Sequence, residues 1–253
     1  MKSITRVGVC RSASTYRRAT ALQGDVAMLL AGARTGIAAT TLLIFLMAVV
    51  PNCAAADEQI CAADADAALG LEEYPTAIAL HRTLIRAQPN NALAHYHLGF
   101  AYGMEGRGPE EIGEYLTSAR LGLKNWDLFL NLGLAYLGQH ELARAAEALE
   151  TAVSLGPEHV EAHFNLAIAY EQENRLGEAL REIAAARRLA PEDPEAANTN
   201  AIICVALGDT ACAQDIWRRL EHFAPDYALA RQNLLILSNS KSPADRISAR
   251  DIK

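Results

Sequence analysis

Cysteine, histidine and clustered carboxylates are the side chains of this chain with the chemistry to bind a metal or turn over a substrate. The five cysteines include no Cys-x-x-Cys pair and no haem-attachment motif, so a redox, zinc or haem site of that kind is not expected. His95 and His97 bracket one residue, and His159 and His163 stand four apart, a spacing that can present two imidazoles to one metal ion. Glu72-Glu73 and Glu110-Glu111 are acid pairs, but acids at a helix start are favoured there by the helix dipole and are best read as solvated. No Ser/His/Asp set, phosphate-cradling loop or isolated carboxylate dyad stands out. The expectation is therefore no catalytic residue, no cofactor and no enzyme.

Charge narrows the partner. Residues 57–253 carry 17 basic and 29 acidic side chains, a net of −12. Nucleic acid is excluded as the main partner, because phosphates are neutralised by Lys and Arg. The acidity suits either a basic partner or plain solubility.

Residues 1–56 read as an address. They hold six basic residues (Lys2, Arg6, Arg11, Arg17, Arg18, Arg34) and one acid, Asp25. Ile37 to Val50 is an uncharged, predominantly apolar run. As a helix it covers roughly 21 Å, short of a hydrocarbon core of about 30 Å. That length fits a signal-peptide apolar region, and Ala54-Ala55-Ala56 supplies the small residues for a cut near Ala56. Pro51 and Asn52 argue against a lipoprotein reading of Cys53. Translation from Met28, a mitochondrial transit peptide and an uncleaved anchor remain open. Because the basic residues precede the apolar run, the body is expected on the outer side of a membrane, with a bacterial periplasm as first choice.

The rest of the chain has a period. Pro157, Pro191 and Pro225 are spaced by 34, and Pro89 precedes Pro157 by twice that. Leu98-Gly99-Phe100-Ala101-Tyr102 recurs at the same interval as Leu132-Gly133-Leu134-Ala135-Tyr136, and once more as Leu166-Ala167-Ile168-Ala169-Tyr170. Ala145 and Ala179 keep the interval, as do Ala152 and Ala186. A period of this length marks stacked supersecondary units.

These residues carry a resemblance to the tetratricopeptide-repeat (TPR) family. The family's small, apolar and proline positions fall on Phe129, Leu132, Gly133, Tyr136, Ala145, Leu149, Ala152 and Pro157, then on His163, Leu166, Ala167, Tyr170, Ala179, Ile183, Ala186 and Pro191. The resemblance implies an all-α fold, a right-handed α-solenoid of about five helical hairpins with a C-terminal capping helix. The expected organisation is a leader or anchor over 1–56 and a repeat domain over 57–238. The repeats are placed at 58–91, 92–125, 126–159, 160–193 and 194–227, with a cap at 228–238 and a disordered tail at 239–253. The second repeat is expected to carry one extra residue in its Gly106-Arg107-Gly108-Pro109 turn and lacks the terminal proline.

Within that register, His95 and His163 take packing positions and His159 falls in a turn, so no metal site is expected. Cys204 and Cys212 come together across the fifth hairpin's turn, either as a disulfide or as two buried thiols. The groove face of the first helices is assigned to Tyr96, Phe100, Leu130, Asn131, Leu134, Phe164, Asn165, Ile168 and Ile202, with acids at its edge at Asp127, Glu161 and Glu171. The family's carboxylate clamp needs Lys or Arg on this face and is absent. An asparagine ladder that bonds a peptide backbone in some members is broken here, reading His97, Asn131, Asn165, Thr199, Asn233. The face suits an apolar or amphipathic protein segment, unless neighbouring repeats or the cap cover it. Membrane contact is expected only through the N-terminal segment. The expected function is an extracytoplasmic scaffold or adaptor. The alternatives are a membrane-anchored assembly factor of an envelope complex and an accessory subunit of an enzyme complex. Acids in place of Leu130 and Phe164 are expected to abolish capture and spare helicity.

Overall fold

The structure, a computed structural model, describes residues 63–239. The expected leader, Cys53, Cys61, residues 58–62 and the tail from 240 onward lie outside the described residues. Among the described residues every regular element is a helix. They fall into two compact units, 63–123 and 124–239.

The first unit holds α1 (63–70), α2 (Tyr74–Ala87), α3 (Ala92–Met104) and α4 (Gly108–Arg120). The second holds α5 (Trp126–Gly138), α6 (Leu142–Leu155), α7 (Val160–Gln172), α8 (Leu176–Leu189), α9 (Pro194–Ala206), α10 (Thr210–Phe223) and α11 (Ala228–Asn239). Within each unit consecutive helices pack against one another, from α2 to α4 and from α5 to α11, and in the second unit α5 and α9 also flank α7. This is the helical-hairpin packing expected of tetratricopeptide repeats. Helix α11 packs on α10 and reaches Asn239, the first residue assigned above to a tail.

The close approach within hairpins follows from missing side chains. A Cβ on Gly99 would lie 2.7 Å from the Tyr115 ring, and one on Gly133 would lie 2.5 Å from Leu149 Cγ. The second helices answer with fully buried Ala145, Ala179 and Ala213. One large residue per second helix fills the space between its neighbours: Tyr115, Leu149, Ile183 and Trp217 are each 0% exposed. Neither helix of a hairpin can bury its apolar stripe alone, so each depends on its partner helix and on the neighbouring hairpin.

The turns correct one expectation. Helices α3, α5, α7 and α9 end at Met104, Gly138, Gln172 and Ala206, and their partners begin at Gly108, Leu142, Leu176 and Thr210. Every intra-hairpin turn therefore has the same length, and the Gly106 turn carries no extra residue. The irregularity sits at the exit of the second repeat. Helix α4 stops at Arg120 and α5 starts at Trp126, with Gly122 at φ 98° between them. Leu123 stands here where the other repeats have proline, so nothing stops the chain from taking a longer path.

A second regularity escapes inspection of the sequence. Glu72, Gly106, His140, Asn174 and Gly208 all have positive φ, at 60°, 74°, 59°, 61° and 82°. They recur at the period of the prolines, one per intra-hairpin turn. Only two are glycine, so residue type hides the pattern. A left-handed non-glycine residue costs roughly 1–2 kcal/mol, less what glycine loses in the unfolded chain. His140 is exposed, and His140→Gly is expected to stabilise the protein by about 0.5–1 kcal/mol in urea denaturation. Unchanged or lower stability would show that the turn stores no strain.

Candidate binding surface

The groove positions assigned from sequence divide sharply by burial. Tyr96, Leu130 and Leu134 are 1%, 0% and 2% exposed, and Phe100 and Ile202 are also buried. Phe100 packs into the core of the first unit with Ala68, Leu69, Ala77 and Ile78. Ile202 belongs to a core cluster that includes Trp217 and, from the capping helix, Ala230 and Leu237. These side chains are not open for docking in this structure. Leu130→Glu would put a charge into a dry core, so the substitution expected above to spare helicity would instead attack the fold.

Phe164 and Ile168 are the exceptions: both are partly exposed. They stand one helical turn apart on α7, between α5 and α9. Asn165 shares their face, and Glu161 and Glu171 bracket it, with Asp127 at the start of α5. The open surface is thus a short apolar strip with acidic ends, narrower than the face drawn from sequence.

The asparagine ladder is largely committed to the fold. Asn165 donates to the Glu161 carbonyl oxygen at 2.8 Å. Asn233 donates to Asn198 Oδ1 at 3.0 Å. His97 pairs with Asp66 through its Nδ1 at 2.6 Å. An amide that donates to its own helix has less to offer a peptide backbone.

Two histidines hold the repeats in register. His163 sets Nδ1 2.7 Å from Glu182 Oε2 on α8, and Nε2 3.0 Å from the Pro157 carbonyl oxygen. His95 repeats this with Glu114 at 2.6 Å and the Pro89 carbonyl oxygen at 3.1 Å. Each ring therefore ties the preceding turn to the second helix of its own repeat. His159, expected in a turn, stacks on Trp126 with ring centroids 3.6 Å apart. His159 and His163 are thus engaged separately, and the structure gathers no shared ligand set from that pair.

Aromatic and basic residues close the helix ends. Arg175 lies over the Tyr170 ring at 4.2 Å, and Arg107 over Tyr102 at 4.3 Å. Tyr170 donates to Glu150 Oε1 at 2.6 Å. Burial, and then that hydrogen bond to a carboxylate, push its phenol well above the usual tyrosine range. Cys204 and Cys212 are joined in a disulfide, with Cα atoms 6.0 Å apart. No described helix is long and apolar enough to cross a membrane.

Comparison with known proteins agrees with this architecture. A tetratricopeptide-repeat family model matches residues 63–123 and 130–194. YrrB, a TPR protein with an unusual peptide-binding site, superposes with a TM-score of 0.63 at 24% identity, over 66% of this chain and 87% of its own. A MamA structure gives 0.61 at 19% identity over 65% and 96%. MamA 41-end from Desulfovibrio magneticus RS-1 gives 0.64 at 16% identity over 67% and 96%. No curated protein matches the sequence. With the sequence period, the hairpins and the matched repeats in agreement, the chain belongs to the tetratricopeptide-repeat family.

Proposed function

We propose that the chain is an extracytoplasmic scaffold that holds an amphipathic protein segment against α7. The observation that carries this reading is the partly exposed Phe164–Ile168 pair, set among buried neighbours and bracketed by Glu161 and Glu171. Apolar side chains left open on an otherwise packed face fit a helix or strand with two apolar anchors and basic flanks. The peptide-binding site of YrrB supports the same class of partner. The leader, with its basic residues before the apolar run, supports a place outside the cytoplasm, and a Cys204–Cys212 disulfide is of the kind that persists in oxidising compartments.

The test compares two surfaces. A photo-crosslinking residue at Ile168 is expected to capture a defined partner in the native compartment. The same residue at exposed Leu180, on the second helix α8, is expected not to. Phe164→Glu with Ile168→Glu should weaken capture at least tenfold, the equivalent of about 1.4 kcal/mol, with helicity and melting temperature kept. Equal capture at Ile168 and Leu180, or capture undiminished by the double substitution, would overturn the reading.

A further inference from the structure

Asp66 on α1, His81 on α2 and His97 on α3 converge inside the first unit. One ligand atom from each lies within 4.8 Å of the other two. His97 Nδ1 is 2.6 Å from Asp66 Oδ1, and His81 Nε2 is 3.9 Å from the same oxygen. The two imidazoles meet edge to face with centroids 5.2 Å apart. His81 is 1% and His97 5% exposed, whereas Asp66 keeps 32% of its side chain open, giving the cluster a path to solvent. Neither nitrogen of His81, nor Nε2 of His97, has a hydrogen-bond partner among the described residues. Buried polar atoms are normally satisfied, and an unsatisfied one costs about 1–3 kcal/mol.

The repeat lattice shows how unusual this is. The three residues that correspond to Asp66, His81 and His97 one repeat later are Phe100, Tyr115 and Asn131. Two, three and four repeats later they are Leu134, Leu149 and Asn165, then Ile168, Ile183 and Thr199, then Ile202, Trp217 and Asn233. Elsewhere two of the three places are held by apolar or aromatic residues. Only between the first two repeats do all three carry metal-ligating groups. Burial, with His97 close by, holds the His81 ring far below the usual imidazole range, at about 4, although Asp66 pulls it back up. The ring stands neutral, its lone pair available.

We propose that Asp66, His81 and His97 form a binding site for a divalent transition metal of the zinc class, which staples the first repeat to the second. Two imidazoles and one carboxylate suit such an ion, and a water would complete a tetrahedron. With ligand bonds of about 2.0–2.2 Å, tetrahedral ligand atoms stand about 3.3–3.6 Å apart, so the 2.6 Å His97–Asp66 pair opens slightly and the 3.9 Å His81–Asp66 pair closes. The ion would give one His81 nitrogen the partner it otherwise lacks.

Cobalt(II) titrated into the EDTA-stripped full chain tests this, because the ion reports its own coordination. The expected result is one equivalent of cobalt with tetrahedral ligand-field bands, displaced by zinc, and a melting temperature raised by zinc. His81→Leu restores the residue type of the third repeat. It should abolish the bands and the zinc-induced rise, while melting higher than the metal-free parent. Asp66→Asn, which leaves the buried rings in place, should also abolish both signals, and keeps the test decisive if His81→Leu fails to fold. No saturable bands in the parent chain would overturn the proposal. So would bands that persist in Asp66→Asn, for the ion would then sit on other histidines.

Discussion

Trp217→Ala is expected to lower the stability of the second unit by about 3–5 kcal/mol, the range for removing a fully buried indole. Trp217 is 0% exposed and packs among Ala197, Ala201, Val205, Leu220 and the cap residue Ala230. Its Nε1 donates to Asn198 Oδ1 at 2.8 Å, and Asn233 of the cap donates to the same oxygen at 3.0 Å. One acceptor thus joins both helices of the fifth repeat to α11. Tyr227, at the entry to the cap, adds to this corner: burial, with Glu195 and Asp193 nearby, pushes its phenol up to about 12, against a hydrogen bond with Asn198 that pulls it down. Terminal repeats have a neighbour on one side only, so an anchor lost here is not shared along the array. Trp217→Phe isolates the hydrogen bond. It keeps a ring in the space and leaves Asn233 in place, so a loss of about 1 kcal/mol beyond packing is expected. Urea denaturation followed by circular dichroism measures both, and limited proteolysis reports whether α11 detaches first. A Trp217→Ala loss under about 1 kcal/mol would mean the cap does not depend on this anchor.

Fold and site were unequally legible in the sequence, for physical reasons. The hairpins were readable because close packing demands residues that recur in fixed register. Gly99 and Gly133 can be nothing larger against Tyr115 and Leu149, and Pro157, Pro191 and Pro225 mark turns by what proline forbids. The turn residues were not readable, since a left-handed φ is tolerated by Glu72, His140 and Asn174 as well as by glycine. Face assignment by register placed Tyr96, Leu130 and Ile202 on the groove, but register says which way a residue points and not what lies against it. Ile202 is covered by packing against the cap, which no periodicity within α9 reveals. The Asp66–His81–His97 cluster was missed because its members sit on three helices with no short motif. The available signal was comparison across repeats, where a histidine takes the place that Leu149 and Ile183 hold later. Register marks His163 as a packing residue but leaves its polarity unexplained.

That polarity underlies the last expected result. His163→Ala should cost about 2–4 kcal/mol, since it removes one charge-assisted and one ordinary hydrogen bond together with buried ring contacts. Both ring nitrogens face acceptors, Glu182 Oε2 at 2.7 Å and the Pro157 carbonyl oxygen at 3.0 Å. A neutral imidazole donates from one nitrogen, and the imidazolium from both. The ring therefore ties the turn after α6 to helix α8 across α7, a link that apolar packing supplies less directionally. A double-mutant cycle with Glu182→Gln separates the two bonds. The Glu182 partner is expected to show a coupling energy of about 1–2 kcal/mol with His163, within the range for directly bonded neighbours. The same cycle on His95 and Glu114, whose distances are nearly the same, should return a similar value, because the two sites are copies of one device two repeats apart. Coupling near zero at both would reduce these histidines to space-fillers. Coupling at one alone would show that the surroundings, and not the pair, set its strength.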